Sequence, residues 1–265
     1  MAKKNAAIIG YGGMGGWHGS FLQNSDVVNL MGIYDIKPSQ CALAESRGIH
    51  AYASLEELLG DPAVDFVTIA VPNDQHKPLA LKALAAGKHV ICEKPVTLSS
   101  ADLQEMIDAS KAAGKLFTVH QNRRWDGEFL VMRDIYQSGE LGPVHHIESR
   151  CHGSRGIPGD WRQDPAQGGG MILDWGVHLL DQMLLIYPEA KIKSVYANVS
   201  HVTNDEVDDG FWRAFRNTFL LSFYGLCFGF PMPIIIALFF NEIKSNILRS
   251  SLQRVNGIGT PLRIR

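Results

Sequence analysis

The chain has 265 residues, of which 46% are hydrophobic and 20% are charged, and its formal net charge is −2. This length allows two domains or one large one, and the near-neutral charge gives no basic face for nucleic acid. The four cysteines form no CxxC pair, which argues against a zinc knuckle and a disulfide framework. Because the first residues also lack the apolar core of a signal peptide, we expect a cytoplasmic protein.

Short apolar runs alternate with helical patterns over the first 121 residues. The runs are almost continuously apolar, as in strands that are buried on both faces of a parallel sheet. They lie at residues 6–9, 28–34, 66–71, 89–92 and 116–120. Serine capping signals and glycines that end helices separate them. This order predicts a doubly wound α/β domain, the Rossmann fold, over residues 1–121.

A glycine-rich turn follows the first predicted strand and opens a helix. Gly10, Gly12 and Gly15 form the motif GxGxxG, whose glycines allow a tight turn, a close approach to a pyrophosphate and close helix packing. The helix that begins here directs free N–H groups at the phosphates. We therefore predict a dinucleotide site, and the alternative is a simple tight turn. The residues of this turn expected at the cofactor are Gly10, Gly12, Gly13, Met14 and Gly15.

Asp35 ends the second predicted strand, twenty residues after the last glycine of the motif. A carboxylate at this place can accept hydrogen bonds from the ribose hydroxyls of NAD, and it repels the 2′-phosphate of NADP. We therefore predict NAD as the cofactor, with NADP less favoured, although the nearby Lys37 could reduce the repulsion. The alternative is that Asp35 is only a turn residue at the end of a strand.

The fourth predicted strand ends in Glu93, Lys94 and Pro95, at the sheet edge where doubly wound folds bind their ligands. Proline keeps the preceding residue out of the helical region, so we expect the Lys94 side chain to reach the cleft. The residues by themselves leave a second interpretation open, in which Lys94 forms a surface ion pair with Glu93.

Three polar residues share one face of a later apolar segment. Asp174, His178 and Asp181 are spaced i, i+4 and i+7, and every residue between them except Gly176 is apolar. Such a polar stripe on an otherwise apolar helix predicts that this face lines a cleft. The alternative is a hydrogen bond between aspartate and histidine within the core.

The pattern changes after residue 121. Helical segments at 129–138 and 172–186 accompany alternating, strand-like segments at 144–152 and 192–202. This combination predicts a partial α+β domain over residues 122–209, which would bind substrate and mediate oligomerisation.

Several motifs together resemble those of the Gfo/Idh/MocA oxidoreductase family, and the resemblance covers residues 5–208. They are the GxGxxG turn, Asp35, Pro72 and Asn73 with His76, Glu93–Lys94–Pro95, residues 121–126, and Asp174 with His178. The resemblance implies an open-sheet second domain and an NAD-dependent enzyme. That enzyme would transfer a hydride between nicotinamide and a hydroxyl carbon of a sugar or polyol, such as an inositol. It also implies a homo-oligomer, which is doubtful here because the strands expected after residue 209 are missing.

The resemblance implies that Lys94, Asp174 and His178 form the catalytic set. A histidine, whose usual pKa is near 6.5, is suited to accept the hydroxyl proton as a general base. A lysine can stabilise the negative charge that develops on the same oxygen. Asp174 can orient His178 or hold a neighbouring substrate hydroxyl. The resemblance adds to the cofactor site Pro72, Asn73, His76, Glu93 and Lys94. The residues expected to border the sugar are Arg124, Trp161 and Asp181.

The last part of the chain does not fit this interpretation. Residues 218–240 contain no charge, and a helix of that length would span the ~30 Å hydrocarbon core of a bilayer. Residues 211–253 resemble a membrane permease of the sugar ABC-transporter class. We therefore predict that residues 210–265 are an apolar, transmembrane-like tail of foreign character that could associate with membranes. It would be joined near residue 210 by a natural fusion or an assembly error. The alternative is a buried core helix.

No metal site is predicted. The cluster around His145, His146, Cys151 and His152 lies on a predicted strand, where His145 and Cys151 would share a face but stand about 20 Å apart at ~3.3 Å per residue. Two further functions stay open beside the dehydrogenase. One is a glycosidase of the same fold that uses bound NAD for transient oxidation. The other is a non-catalytic fusion fragment that binds nucleotide and associates with membranes.

Overall fold

A computed structural model of the chain describes residues 2–151, 159–188 and 191–197, together with Val207. The chain divides into two units, Met1–Gly210 and Phe211–Arg265, and the described residues all belong to the first. The uncharged run 218–240 and the segment 211–253 therefore lie outside the described residues. Within the part of the chain that is described, no helix is long and apolar enough to cross a membrane.

Five parallel strands form one sheet in the order β2-β1-β3-β4-β5. β2 pairs with one side of β1, and β3, the next strand along the chain, pairs with the other side. The order of strands therefore reverses between β1 and β3, and ligands of doubly wound folds bind in the crevice beyond the carboxyl ends at such a point. The strands are β1 Lys4–Ile9, β2 Val28–Tyr34, β3 Phe66–Ile69, β4 His89–Glu93 and β5 Phe117–His120.

Helices follow the strands, as the alternating pattern predicts. The capping box at Ser54 is formed: its Oγ accepts a hydrogen bond from the Glu57 N–H, and the Glu57 carboxylate accepts one from the Ala53 N–H. Ser99 caps its helix in the same way, by accepting from the Asp102 N–H. The helices are α1 Gly13–Gln23, α2 Pro38–Ser46, α3 Leu55–Gly60, α4 His76–Ala85, α5 Ser100–Ala113, α6 Gly127–Ser138 and α7 Val177–Ile186.

The core lies on both faces of the sheet. One face carries the larger cluster, in which Val67, Ile69 and Val90 of the strands pack with Leu84 of α4 and Met106 of α5. The other face carries a smaller cluster around Ile8, Tyr11 and Ile33. The central strands are therefore buried from both sides, which confirms the doubly wound sheet predicted from their continuous apolar runs.

The second part of the described chain differs from the prediction. Residues 144–151 and 192–197 were predicted as strands, but in the structure they form no regular secondary structure. Alternating side chains do not make a strand unless a neighbouring strand accepts and donates the backbone hydrogen bonds. No such neighbour pairs with them among the described residues, and Val195 and Tyr196 are 81% and 92% exposed.

The helix predicted over residues 172–186 is present, but its first turn is wider than expected. The turn Ile172–Gly176 is a π-helix, and α7 continues from it without a break. Wide turns of this kind often occur at functional sites, because they rotate the side chains that precede them relative to those that follow. Here Asp174 lies within the turn and His178 lies in the first turn of α7, and the two side chains have different partners.

Candidate active site

The glycine-rich turn between β1 and α1 is held by close backbone contacts. Gly10 has φ +90°, and its N–H donates to the Tyr34 carbonyl over 2.7 Å. A Cβ placed on Gly15 would lie 1.9 Å from the Gly10 carbonyl oxygen, so only glycine lets α1 approach the strand this closely. A Cβ on Gly12 or Gly13 would meet nothing within 4 Å. The turn therefore leaves Gly12 and Gly13 facing open space, as a bound pyrophosphate requires.

This open space belongs to a cavity of about 1010 Å³ at the carboxyl edge of the sheet. It runs from the ends of β1 and β2 across β3 to the end of β4, which is the switch point where strand order reverses. Its volume is at the upper end of the range for small-molecule sites. The predicted site residues that line it are Gly10, Gly12, Gly13, Met14, Asp35, Pro72, Asn73, Glu93, Lys94, Trp161 and Asp174. The predicted residues outside the lining are Gly15, His76, Arg124, His178 and Asp181.

Asp35 stands at the end of β2, on the wall of the cavity. One carboxylate oxygen accepts the Tyr11 N–H over 2.7 Å, and the other accepts the Lys37 N–H over 2.8 Å. These bonds fix the direction of the carboxylate. They leave acceptor capacity, because an ionised carboxylate has about four lone-pair sites. Asp35 can therefore still accept hydrogen bonds from a ribose.

Lys94 pairs with Asp174, which is eighty residues away in sequence. The ammonium Nζ lies 2.7 Å from Asp174 Oδ1 and 2.7 Å from the Asp174 carbonyl oxygen. Arg162 reaches the other carboxylate oxygen, with Nε 3.2 Å from Oδ2. Burial alone would raise the pKa of Asp174, but Lys94 and Arg162 outweigh it and lower that pKa. The ion pair of Lys94 with Glu93 considered above is therefore replaced by one across the cavity.

His178 is buried, with 4% of its surface exposed, and its Nδ1 lies 3.1 Å from Gln121 Oε1. Burial lowers its pKa to about 4, and the positive charges of Lys94 and Arg123 act in the same direction. The imidazole is therefore neutral near pH 7, which is the form that can accept a proton. Asp174 therefore does not orient His178: Gln121 holds His178, while Asp174 lines the cavity and binds Lys94 and Arg162.

Glu93 lies beneath this site and is bound by two histidines. His18 Nε2 of α1 and His120 Nδ1 of β5 lie 2.7 and 2.8 Å from the same oxygen, Oε1. Burial would raise the pKa of Glu93, but the hydrogen bonds from His120 and His18 outweigh it and lower the pKa to about 2. The cluster anchors the end of β4, because Glu93 Oε2 also accepts the Lys94 N–H.

The same three side chains are the one group that could hold a metal ion among the described residues. Both distances to Oε1 have the length of ordinary N–H···O hydrogen bonds. The donor atoms are thus already engaged with one another, and we interpret the group as a hydrogen-bonded cluster. No sequence pattern indicates this cluster, because His18 and His120 are isolated in the sequence and only the fold brings them to Glu93.

His76 and Asn73 support the cavity from the side of β3. His76 is fully buried, with Nδ1 2.8 Å from the Pro95 carbonyl oxygen and Nε2 3.0 Å from that of Val71. Burial lowers its pKa. Asn73 Nδ2 donates to the Gly168 carbonyl oxygen over 2.8 Å. His76 therefore ties the loops after β3 and β4 together, and Asn73 ties the cavity to the segment before α7.

Arg124 and Asp181 form a bidentate ion pair, with nitrogen–oxygen distances of 2.8 and 2.6 Å. They join the turn after β5 to α7, and neither lines the cavity. Trp161 does line it, and its neighbour Arg162 stacks on the indole with its guanidinium carbon 4.7 Å from the ring centroid. Arg162 was not predicted as a site residue. The sequence feature that could have indicated it is its position next to Trp161.

Replacing Glu93 with glutamine is expected to destabilise the protein in a pH-dependent way. The pKa of Glu93 falls from 4.5 to about 2 on folding, which corresponds to about 3 kcal/mol for the ionised side chain. A lowered pKa stabilises the fold above pH 4.5, and this stabilisation is lost as the pH falls towards 2. Urea unfolding at pH 7 and pH 4 should show that the deficit of Glu93→Gln is smaller at pH 4. The exposed Glu56→Gln serves as a control and should change little at either pH. An equal deficit at both pH values would contradict this assignment.

The fold and the cavity together define a dinucleotide-binding protein, and comparison with known proteins agrees. The family model for the NAD-binding Rossmann fold of the GFO/IDH/MocA oxidoreductases matches residues 4–121. The model for a GFO/IDH/MocA C-terminal domain matches residues 129–217. The chain belongs to the Gfo/Idh/MocA oxidoreductase family. The second match overlaps the start of the segment 211–253, and the resemblance of that segment to a permease finds no support in these matches.

Individual relatives place the chain within this family. The crystal structure of an NAD-binding protein from Listeria innocua is 50% identical, with a TM-score of 0.76, over 78% of this chain and 61% of that one. An uncharacterised oxidoreductase of Schizosaccharomyces pombe is 38% identical over 52% of this chain and 38% of its own. The myo-inositol 2-dehydrogenase of Thermotoga maritima is 30% identical over 76% of this chain and 59% of its own. The chain thus spans about two fifths to three fifths of these proteins.

Proposed function

We propose that the chain is an NAD-dependent dehydrogenase that oxidises a hydroxyl group of a sugar or polyol. The observation that carries the proposal is the pair of Lys94 with Asp174 at one end of the cavity, with neutral His178 beside it. A positive donor and a neutral base next to a dinucleotide cavity are the groups that alcohol oxidation requires. The similarity to an inositol dehydrogenase supports a polyhydroxylated substrate.

The residues present fit NAD. Gly12 and Gly13 face the cavity with room for a pyrophosphate, and the fixed carboxylate of Asp35 can accept the hydroxyls of a ribose. Pro72 and Asn73 also line the cavity, between the glycine turn and Lys94. When bound, the nicotinamide supplies the acceptor for the hydride that leaves the carbinol carbon.

The side chains of this site accept the proton, stabilise the charge and position the substrate. His178 accepts the proton of the substrate hydroxyl as the C–H bond breaks, so that the alcohol becomes a carbonyl group. Lys94 donates a hydrogen bond to the same oxygen and stabilises its negative charge. Asp174 and Arg162 hold Lys94 in place, and Asp174 can exchange one of these contacts for a hydroxyl of the substrate. Trp161 borders the cavity and offers an apolar surface to the sugar ring.

The activity can be tested by following NADH formation at 340 nm with the full chain and a panel of inositols, aldoses and glycosides. We expect turnover with at least one polyol and the release of one NADH for each carbonyl formed. Cleavage of a glycoside without net NADH would instead indicate the glycosidase of the same fold. Binding of NAD without turnover on any substrate would favour the non-catalytic alternative.

We expect NAD to bind at least about tenfold more tightly than NADP. A 2′-phosphate near Asp35 would face a like charge, and two such charges 4 Å apart repel by ~1 to 4 kcal/mol near a protein surface. Fluorescence titration with NADH and NADPH measures the ratio. Asp35→Ser should bring it close to one, while Asp26→Ser, at an exposed loop position, should leave it unchanged. Equal or tighter NADPH binding by the unmodified protein would refute the prediction and direct attention to Lys37, which also lines the cavity.

A further inference from the structure

We propose that Gln121 is a positioning residue that sets the tautomer of His178 and so determines which ring nitrogen acts as the base. The inference rests on the proposed function, because it assigns a role to a partner of the proposed base. Gln121 follows directly on β5, and its main chain is held by a hydrogen bond from its N–H to the Val119 carbonyl oxygen over 3.0 Å.

The contact between the two side chains, with the amide oxygen of Gln121 towards the ring, favours one tautomer of His178. Gln121 presents its amide oxygen, Oε1, to His178 Nδ1 over 3.1 Å. An amide oxygen accepts hydrogen bonds and cannot donate them, so Nδ1 must carry a hydrogen. A neutral imidazole carries one N–H, and Nε2 therefore keeps its lone pair. Because His178 is 4% exposed, few water molecules can compete for Nδ1, and the amide decides the tautomer.

Because the side chain of Gln121 is an uncharged amide, it also affects the pKa of His178. The charged groups that act on His178 are Lys94 after β4, Arg123 in the turn after β5, Asp174 in the π-turn and Glu93 of β4. Burial and the two cations lower the pKa of His178 to about 4, and the two carboxylates oppose them. Gln121 orients the ring without adding a negative charge. The base therefore stays neutral to a lower pH than it would beside a carboxylate.

The tautomer can be measured without any substrate. In the full chain labelled with ¹⁵N-histidine, the His178 resonances can be identified by their loss in His178→Gln. At pH 7 we expect the ¹⁵N shift of a protonated nitrogen for Nδ1 and that of an unprotonated nitrogen for Nε2. In Gln121→Leu, which removes the acceptor, the two shifts should move towards each other as tautomers mix. A protonated Nε2 in the unmodified protein, or unchanged shifts in Gln121→Leu, would overturn the proposal.

The pH dependence of kcat/KM supplies the second readout. Gln121→Glu places a carboxylate against Nδ1 and should raise the pKa of His178. The acid limb of the profile should then move up by about 1 to 3 pH units. Gln121→Leu should lower kcat by about 10²-fold through loss of orientation. Gln137→Glu, the same change at an exposed position of α6, should leave the profile unchanged.

The two proposals fail in different ways. A correctly folded, unmodified protein that turns over no substrate would refute the dehydrogenase, and the ¹⁵N shifts would still decide the role of Gln121. An active unmodified protein whose acid limb stays in place in Gln121→Glu would refute the role of Gln121 alone. If Gln121→Leu does not fold, then the shifts of the unmodified protein and the profile of Gln121→Glu suffice.

Discussion

Lys94→Ala and His178→Ala are each expected to lower kcat by a factor of at least about 10². Loss of a donor to a developing oxyanion costs about 10² to 10³, and loss of a general base costs about 10² to 10⁴. In the proposed mechanism the two side chains act on the same substrate oxygen, so the double variant should be only slightly slower than the worse single variant. Steady-state NADH formation with the substrate found in the panel measures these rates.

NAD binding shows whether a loss of activity in these variants comes from the chemical step or from misfolding. His178 does not line the cavity, so His178→Ala should bind NAD with nearly unchanged affinity. Lys94→Ala leaves Asp174 with Arg162 as its partner, which should hold the carboxylate in place. Lys82→Ala, at an exposed position of α4, is the matched control and should be as active as the unmodified enzyme. Near-normal kcat in either site variant would remove that residue from the mechanism.

Gly15→Ala is expected to cause the largest loss of stability among single methyl additions in the glycine turn. The new Cβ would lie 1.9 Å from the Gly10 carbonyl oxygen and 2.8 Å from its carbonyl carbon, and both of these atoms belong to the backbone. The contact can be relieved only if α1 moves away from β1, which disturbs the core on that face. Overpacking of this kind costs about 3 kcal/mol. Urea unfolding and NAD titration should both show the loss.

Gly13→Ala is the matched control for this prediction. It adds the same methyl group two residues earlier, where the Cβ meets nothing within 4 Å. We expect Gly13→Ala to fold with an unfolding midpoint close to that of the unmodified protein. Its NAD affinity should fall, because the methyl group projects into open space next to the cavity. If Gly15→Ala were as stable as Gly13→Ala, the inference that α1 packs too closely on the turn for a side chain at residue 15 would be wrong.

The sequence by itself determined the first domain. Nearly continuous apolar runs such as residues 66–69 are typical of strands covered on both faces, and capping residues such as Ser54 satisfy the N–H groups of a helix end locally. The positions of Gly12, Gly13 and Asp35 at the carboxyl edge of the sheet could be predicted as well. These positions follow from local backbone geometry and from the ends of the strands, both of which can be read from the sequence.

The tertiary structure decided which side chains of the site meet. Lys94 binds Asp174 from eighty residues away, His178 meets Gln121 at a separation of fifty-seven, and Glu93 meets His18 at seventy-five. Regular helical spacing predicted Asp174 and His178 on one face, but Asp174 lies in the π-turn and His178 in α7, and each has a different partner. Such pairings depend on how strand ends and helices are packed, and no local pattern encodes them. For the same reason, alternation at residues 144–151 could not predict a strand, because a strand requires a neighbour to bind its backbone.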